Sequence, residues 1–235
     1  MCRHAAWLGP PRSLTTLLGE PEYGLIRQSY APRMQRHGMI NADGFGVGWY
    51  DPVSGGPVRY RRTIPIWTDA NLPGLAGAAR SGCLLAAVRS ATVGMPVEES
   101  ATAPFADGRW LLSHNGRVRG EAVRSLVDSA ESTCDAAWVA AAVFARLRDG
   151  VPLGDALTEV VTHAGTKDPE ARLNLLATDG SAVAATTWGD TLFLDTGDDG
   201  VLIASEPLDD RPAWQAVPDR HLVLATGGGV RVQPF

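Results

Sequence analysis

The residues that could carry chemistry begin at the second position. Cys2 directly follows the initiator methionine, and removal of Met1, which a small second residue permits, leaves a thiol and a free α-amino group on one residue. A thiol is only a few per cent ionised at neutral pH, and an adjacent amine that takes its proton makes it a nucleophile without a distant histidine. A cysteine that only filled space would belong inside an element, whereas a chain terminus is normally frayed and wet.

Further along, "WLLSHNGRV" reads as an apolar strand ending on His114, Asn115 and Gly116. The Asn115 side-chain amide and the Gly116 N–H suit an oxyanion hole: glycine lets backbone approach a substrate closely, and one such donor is commonly worth about two to three orders of magnitude in rate. The same Asn-Gly pair also makes turns. "AAVRSATVG" leaves Arg89 at the end of an apolar strand, where its planar fork could grip a carboxylate with Thr92 adding a hydroxyl; an ordinary surface salt bridge uses the same residue. Asp135 stands in the first turn of a helix, a place the helix dipole alone favours for a carboxylate. If Arg89 and Asp135 share a pocket, they would hold the carboxylate and the ammonium of an α-amino acid head.

Other candidates carry less. Gly44, Gly46 and Gly48 alternate with the wrong spacing for a dinucleotide loop, but glycines on one strand face admit another backbone or a ligand. His4, His37, His114, His163 and His221 show no metal-ligand spacing beyond a loose Cys2-x-His4 pair, so no metal and no cofactor are expected. Cys83, inside "GCLLAAV", reads as a small buried hydrophobe.

The elements that must position these residues follow from periodicity and punctuation. Strands are expected at "GFGVGWY", "PVRYRRTIPIW", "CLLAAVRS", "RWLLSHNG", "LNLLATDG", "AVAATTW", "TLFLD", "VLIASE" and "HLVLATGGGVRVQ". The connections "WGD", "DTGDDG" and "TGGG" are too short for parallel crossovers and read as hairpins. The clearest helix is "TCDAAWVAAAVFARLRDG", with Ser132 or Thr133 as N-cap and Gly150 as its stop; "PLGDALTEVVTHAG" follows, with Gly165 as C-cap. Weaker helices are expected at 13–18, 69–80 and 121–130. Helices flanking two groups of strands imply an α+β layered sandwich, with residues 1–235 forming one domain.

At 235 residues, with 45% hydrophobic and 20% charged residues, the chain has ample material for a core. A net charge of -5 argues against nucleic acid as a partner. The cluster Arg59, Arg61 and Arg62 reads as a solvated strand face. No stretch is apolar enough to span a membrane, none resembles a secretory signal, and an odd count of three cysteines suits a reducing compartment, so a cytoplasmic protein is expected. Oligomeric state is not encoded in these signals.

Taken together, "MCRH", "VRSATVG", "SHNG" and "TCDAAW" resemble, in order, the motifs of class II glutamine amidotransferase domains in the N-terminal-nucleophile hydrolase superfamily. Within that superfamily, "QSYAPRMQRHGMINADGFGVGWYDP", "VRSATVGMPVEESATAPF" and "IASEPLDDRPAWQAVPDRHLV" are most similar to the ergothioneine-biosynthesis amidohydrolases, which remove the γ-glutamyl group from γ-glutamyl-hercynylcysteine sulfoxide. The resemblance spans nearly the whole chain and implies a four-layer αββα sandwich of two mainly antiparallel sheets. It also implies Cys2 as nucleophile and base, Asn115 and Gly116 as the oxyanion hole, Arg89 and Thr92 on the glutamyl carboxylate end, and Asp135 on its amino group. The expected reaction runs through a Cys2 thioester that water hydrolyses. Val93, Ala103 and Ala137 depart from residues that relatives often carry. The substrate's trimethylammonium suggests an aromatic cage, with Trp7 or Trp49 the first suspects. Two other readings stay open: a glutaminase subunit that hands ammonia to a separate synthase, and a non-catalytic binding protein.

Overall fold

Strand β1 (Arg3–Ser13) begins directly after Cys2 and runs through the middle of a sheet. The computed structural model describes residues 2–51, 53–197 and 199–235, so Met1 lies outside the described residues. After β1 come the helices α1 (Thr15–Leu18) and α2 (Leu25–Tyr30), strands β2 (Phe45–Asp51) and β3 (Gly56–Arg62), helix α3 (Leu72–Ala78) and strand β4 (Arg80–Val88). Strands β5 (Phe105–Asp107) and β6 (Trp110–Arg117) lead into helices α4 (Glu121–Arg124), α5 (Asp135–Arg148) and α6 (Leu153–Lys167). The chain continues with β7 (Arg172–Thr178), β8 (Ala182–Thr186), β9 (Phe193–Gly197), β10 (Gly200–Ala204), β11 (Gln215–Ala216), β12 (His221–Thr226) and β13 (Gly229–Pro234).

The strands form a seven-stranded sheet, β11-β9-β10-β1-β4-β2-β3, and a six-stranded sheet, β13-β12-β8-β7-β6-β5, with antiparallel pairing in both. Three apolar clusters separate four layers. The period-2 alternation of β1 sends Ala5 and Trp7 into a cluster with Leu17 and Leu25 of the first helices, while Ala6 joins Leu85, Leu111 and Leu176 between the sheets. The third cluster packs Val139, Val143, Leu157 and Val161 of α5 and α6 on Leu112 and Leu175. This is the αββα sandwich that the resemblance implies. Among the described residues no helix is long and apolar enough to cross a membrane.

Several expectations are corrected by the structure. β1 went unread because Pro10 and Pro11 interrupt it; its pairing with β10 runs only from Ala5 to Leu8 and its register with β4 shifts between Leu8 and Arg12, so neither proline has to donate to a ladder. β3 ends at Arg62, and Pro65 precedes a short 3₁₀ turn, Ile66–Thr68, where a continuing strand was expected. Cys134, not Ser132 or Thr133, is the N-cap of α5 and makes no side-chain cap; the Ser132 hydroxyl donates instead to Glu98 Oε1 at 2.7 Å. Gly165 does not end α6, which runs to Lys167; its missing side chain makes room for the Trp188 indole, 2.5 Å from where a Cβ would point at Cε2. "WGD" is no hairpin, since β8 and β9 belong to different sheets and the segment crosses between them. Arg59 and Arg61 are not a solvated face: both reach Glu131, at 3.3 and 2.6 Å, and donate to the carbonyls of Pro104 and Thr102.

Candidate active site

Cys2 is half-buried directly before β1, a central strand bonded on both edges. It lines a narrow cavity of ≈ 20 Å³ together with Arg89, Thr102, Ser113, His114 and Ala136. That volume holds about one water. The glycines of β2 pack against neighbouring chain: a Cβ on Gly46 would collide with the Ala103 carbonyl, and one on Gly48 would lie 2.6 Å from Leu111 Cδ1 and 3.2 Å from Pro104 Cγ. The close backbone approach expected of these glycines is therefore the approach of the 103–104 segment.

Arg89 follows the last residue of β4. Its N–H donates to the Gly44 carbonyl at 2.8 Å, and its own carbonyl accepts from Asp43 N–H at 2.9 Å. Arg89 is 7% exposed; its guanidinium donates through Nη2 to the Pro96 carbonyl at 2.8 Å and leaves Nη1 buried without a partner. Among the described residues it has no carboxylate partner. A buried cation with an unused donor is costly unless something anionic completes it.

Asn115 and Gly116 lie within β6, which continues to Arg117, so the turn reading fails. Asn115 is fully buried; its Nδ2 donates to Ser205 Oγ at 3.3 Å and its Oδ1 has no partner. Gly116 has φ +156, and a Cβ there would strike the Arg172 carbonyl, so glycine is required on packing grounds alone.

Thr92 and Asp135 are placed differently. Thr92 lines an open cleft of ≈ 570 Å³ beside the cavity, with Gly116, Arg117 and Arg172. Asp135, the first residue of α5, accepts the Val118 N–H at 3.0 Å through Oδ2 and the Ala136 N–H at 2.9 Å through Oδ1. Its carboxylate thus ties the chain leaving β6 to the helix, and Ala136 rather than Asp135 borders the cavity. Trp7 is 2% exposed, and with Trp49 it packs on the helix side of the larger sheet, so neither walls the cavity.

Sequence reasoning missed a buried polar layer between the sheets. Ser205 Oγ accepts the His4 N–H at 3.0 Å as well as the Asn115 amide, and His4 Nδ1 lies 3.2 Å from Ser113 Oγ. Burial, with Arg3 and His114 nearby, lowers His4 to about 3, so its ring is neutral. Arg3 is wholly enclosed; burial lowers its pKa, while the fields of Glu206 and Asp190 oppose that change. Alternation along "CRHA" was the available signal, because it sends Arg3 and His4 to opposite faces of a strand. Burial pushes Cys83 up to about 12 and Cys134 upward as well, leaving both thiols protonated and inert beside Cys2. Among the described residues no group of three or more His, Cys, Asp or Glu could hold a metal ion.

No family model matches the chain. It is 55% identical over 236 residues to the γ-glutamyl-hercynylcysteine sulfoxide hydrolase of Mycolicibacterium smegmatis, covering 100% of both chains. It is 53% identical over 230 residues to the protein of the same name from Mycobacterium tuberculosis, covering 98% of this chain and 95% of the other. A solved glutamine aminotransferase class-II domain protein from Silicibacter pomeroyi superposes with a TM-score of 0.71 at 23% identity, covering 100% of this chain and 99% of that one, a likeness of fold.

Proposed function

The chain belongs to the family of γ-glutamyl-hercynylcysteine sulfoxide hydrolases, and from that premise we propose how its residues cleave the γ-glutamyl amide. The enzyme is an amidohydrolase that converts γ-glutamyl-hercynylcysteine sulfoxide and water to glutamate and hercynylcysteine sulfoxide, a step of ergothioneine biosynthesis. Residues 1–235 act as one domain, in keeping with strands of both sheets alternating along the chain. The three free thiols, Cys2, Cys83 and Cys134, suit a cytoplasmic setting.

With Met1 removed, the Cys2 α-amine takes the thiol proton, and sulfur attacks the γ-carbonyl carbon. The Asn115 amide and the Gly116 N–H stabilise the oxyanion that develops. Collapse breaks the C–N bond as the α-ammonium returns its proton to the leaving nitrogen, and water then adds to the thioester to free glutamate. The observation that supports this reading is the Cys2 cavity with Arg89 in its wall, its guanidinium Nη1 unpartnered, a ready seat for the glutamyl α-carboxylate. Thr92 supports that head group, and Asp135 takes its ammonium. A cavity of ≈ 20 Å³ does not hold a glutamyl group, so it widens as substrate enters.

The test incubates the purified protein, without any partner, with γ-glutamyl-hercynylcysteine sulfoxide and separately with glutamine, and follows glutamate release. Release from the sulfoxide that is lost in Cys2→Ala, together with an intact mass lacking Met1, is the expected result. Full activity in a preparation that retains Met1 contradicts the mechanism, and release from glutamine alone favours the glutaminase reading.

A further inference from the structure

The open cleft beside Gly116 holds a cation, Arg117, that the fold does not need. In the β6–β7 register Arg117 lies directly opposite Arg172, and both line the cleft. Like charges facing each other across a strand pair are destabilising, and neither residue helps to fill a core. The carboxylates nearby are already engaged: Glu170 with Arg119 Nη2 at 3.2 Å, and Asp190 with Arg172 Nε at 3.5 Å. Among the described residues Arg117 makes no ion pair and no side-chain hydrogen bond.

Position says what the cation is for. Arg117 follows Asn115 by two residues and so projects from the same face of β6, about 7 Å further along, with Gly116 between them. In a γ-glutamyl amide of an amino acid, the leaving amine bears a carboxylate two bonds from the scissile nitrogen. With the glutamyl part at Arg89 and the carbonyl oxygen at Asn115 and Gly116, the leaving part extends into the open cleft that Arg117 shares with Thr92. Resting on the amidohydrolase reading above, we infer that Arg117, with Arg172 opposite, binds this leaving-group carboxylate and makes the enzyme selective for γ-glutamyl amides of α-amino acids. Glutamine, whose leaving group is ammonia, gains nothing from this subsite.

The test compares kcat/KM for γ-glutamyl-hercynylcysteine sulfoxide and for its analogue with hydrogen in place of the cysteinyl carboxylate. In the unaltered enzyme the carboxylate is preferred by about 10- to 100-fold, the range of a charge-assisted hydrogen bond. Arg117→Ala narrows that preference at least about five-fold, Arg117→Lys retains part of it, and Arg80→Ala, an exposed arginine outside the cleft, does not change it. No preference in the unaltered enzyme, or a narrowing of less than about five-fold in Arg117→Ala, overturns the inference. Hydrolysis of neither compound overturns the amidohydrolase reading itself, a distinguishable result.

Discussion

The Asn115 side-chain amide donates to Ser205 Oγ over 3.3 Å, and the same hydroxyl accepts the His4 backbone N–H at 3.0 Å. One small side chain at the end of β10 therefore links the strand that carries the nucleophile to the strand that carries the oxyanion donors. Ser205 touches no reacting atom in the proposed chemistry and acts as a positioning residue. Removing it frees Asn115 to turn away, and a misplacement on the order of 1 Å can cost about 100-fold. Ser205→Ala is expected to lower kcat about 10- to 100-fold with KM nearly unchanged. An equal rise in KM would instead mark Ser205 as part of substrate binding.

Arg89 makes the opposite kind of prediction. Its unsatisfied Nη1 anticipates a ligand carboxylate, so Arg89→Met should leave the thiol reactive toward a small alkylating agent while kcat/KM for the γ-glutamyl substrate falls about 10- to 100-fold, chiefly through KM. Arg89→Lys should restore little, because an ammonium cannot reproduce the planar fork. Steady-state kinetics on the two variants, beside their alkylation rates, separate binding from chemistry.

These two residues also mark how far the sequence reaches. Arg89 was legible because a cation closing the apolar run "CLLAAV" has no packing reason to be there. Gly116 was legible as a residue but not as a conformation: an Asn-Gly pair suits a turn equally, and what keeps it in β6 is β7, 56 or more residues away, whose Arg172 carbonyl leaves no space for a side chain. Ser205 left no local mark, and alternation along "CRHA" gives His4 a face but no partner. Their roles depend on β10 lying beside β1, a pairing of residues about 200 apart in sequence, and no periodicity of either strand encodes its neighbour. The "WGD" crossover escaped for the same reason, since a short connection between two strands looks identical whether they share a sheet or not.

His4 gives the site a pH signature. Its folded pKa, about 3, lies below the ordinary 6.5 because burial disfavours the charged ring. Between these values the unfolded chain binds the extra proton and the folded one does not, so stability is fully present above pH 6.5 and is lost progressively as pH falls toward 3. The loss from this group amounts to about 2 kcal/mol by pH 5. Denaturant midpoints at pH 7 and pH 5 should show a smaller difference in His4→Gln than in the unaltered protein. The His4 ring resonances should also stay at their neutral position down to about pH 4.

Arg3 sits on the other face of β1 and tests whether a charge can hold a structure without direct pairing. It is fully enclosed, with its Nε donating to Gln35 Oε1 at 3.3 Å and both terminal nitrogens unpartnered. Glu206 is equally enclosed, and its carboxylate accepts the Arg33 and Met34 N–H groups at 3.2 and 2.5 Å. Asp190 is buried too, enough for its pKa to be raised despite the nearby cations. The fields of Glu206 and Asp190 both oppose the lowering of the Arg3 pKa by burial. Replacing it with Met keeps most of the volume but removes a cation whose field reaches Glu206, while Asp190 keeps its pair with Arg172; losing one member of a buried charge set costs about 3–5 kcal/mol. Adding Glu206→Gln to Arg3→Met should recover part of that loss, because one orphaned charge is removed with its counterion. Equilibrium unfolding of the single and double variants decides the matter: if the double variant is no more stable than Arg3→Met, the arginine is held by packing and not by the field of its neighbours.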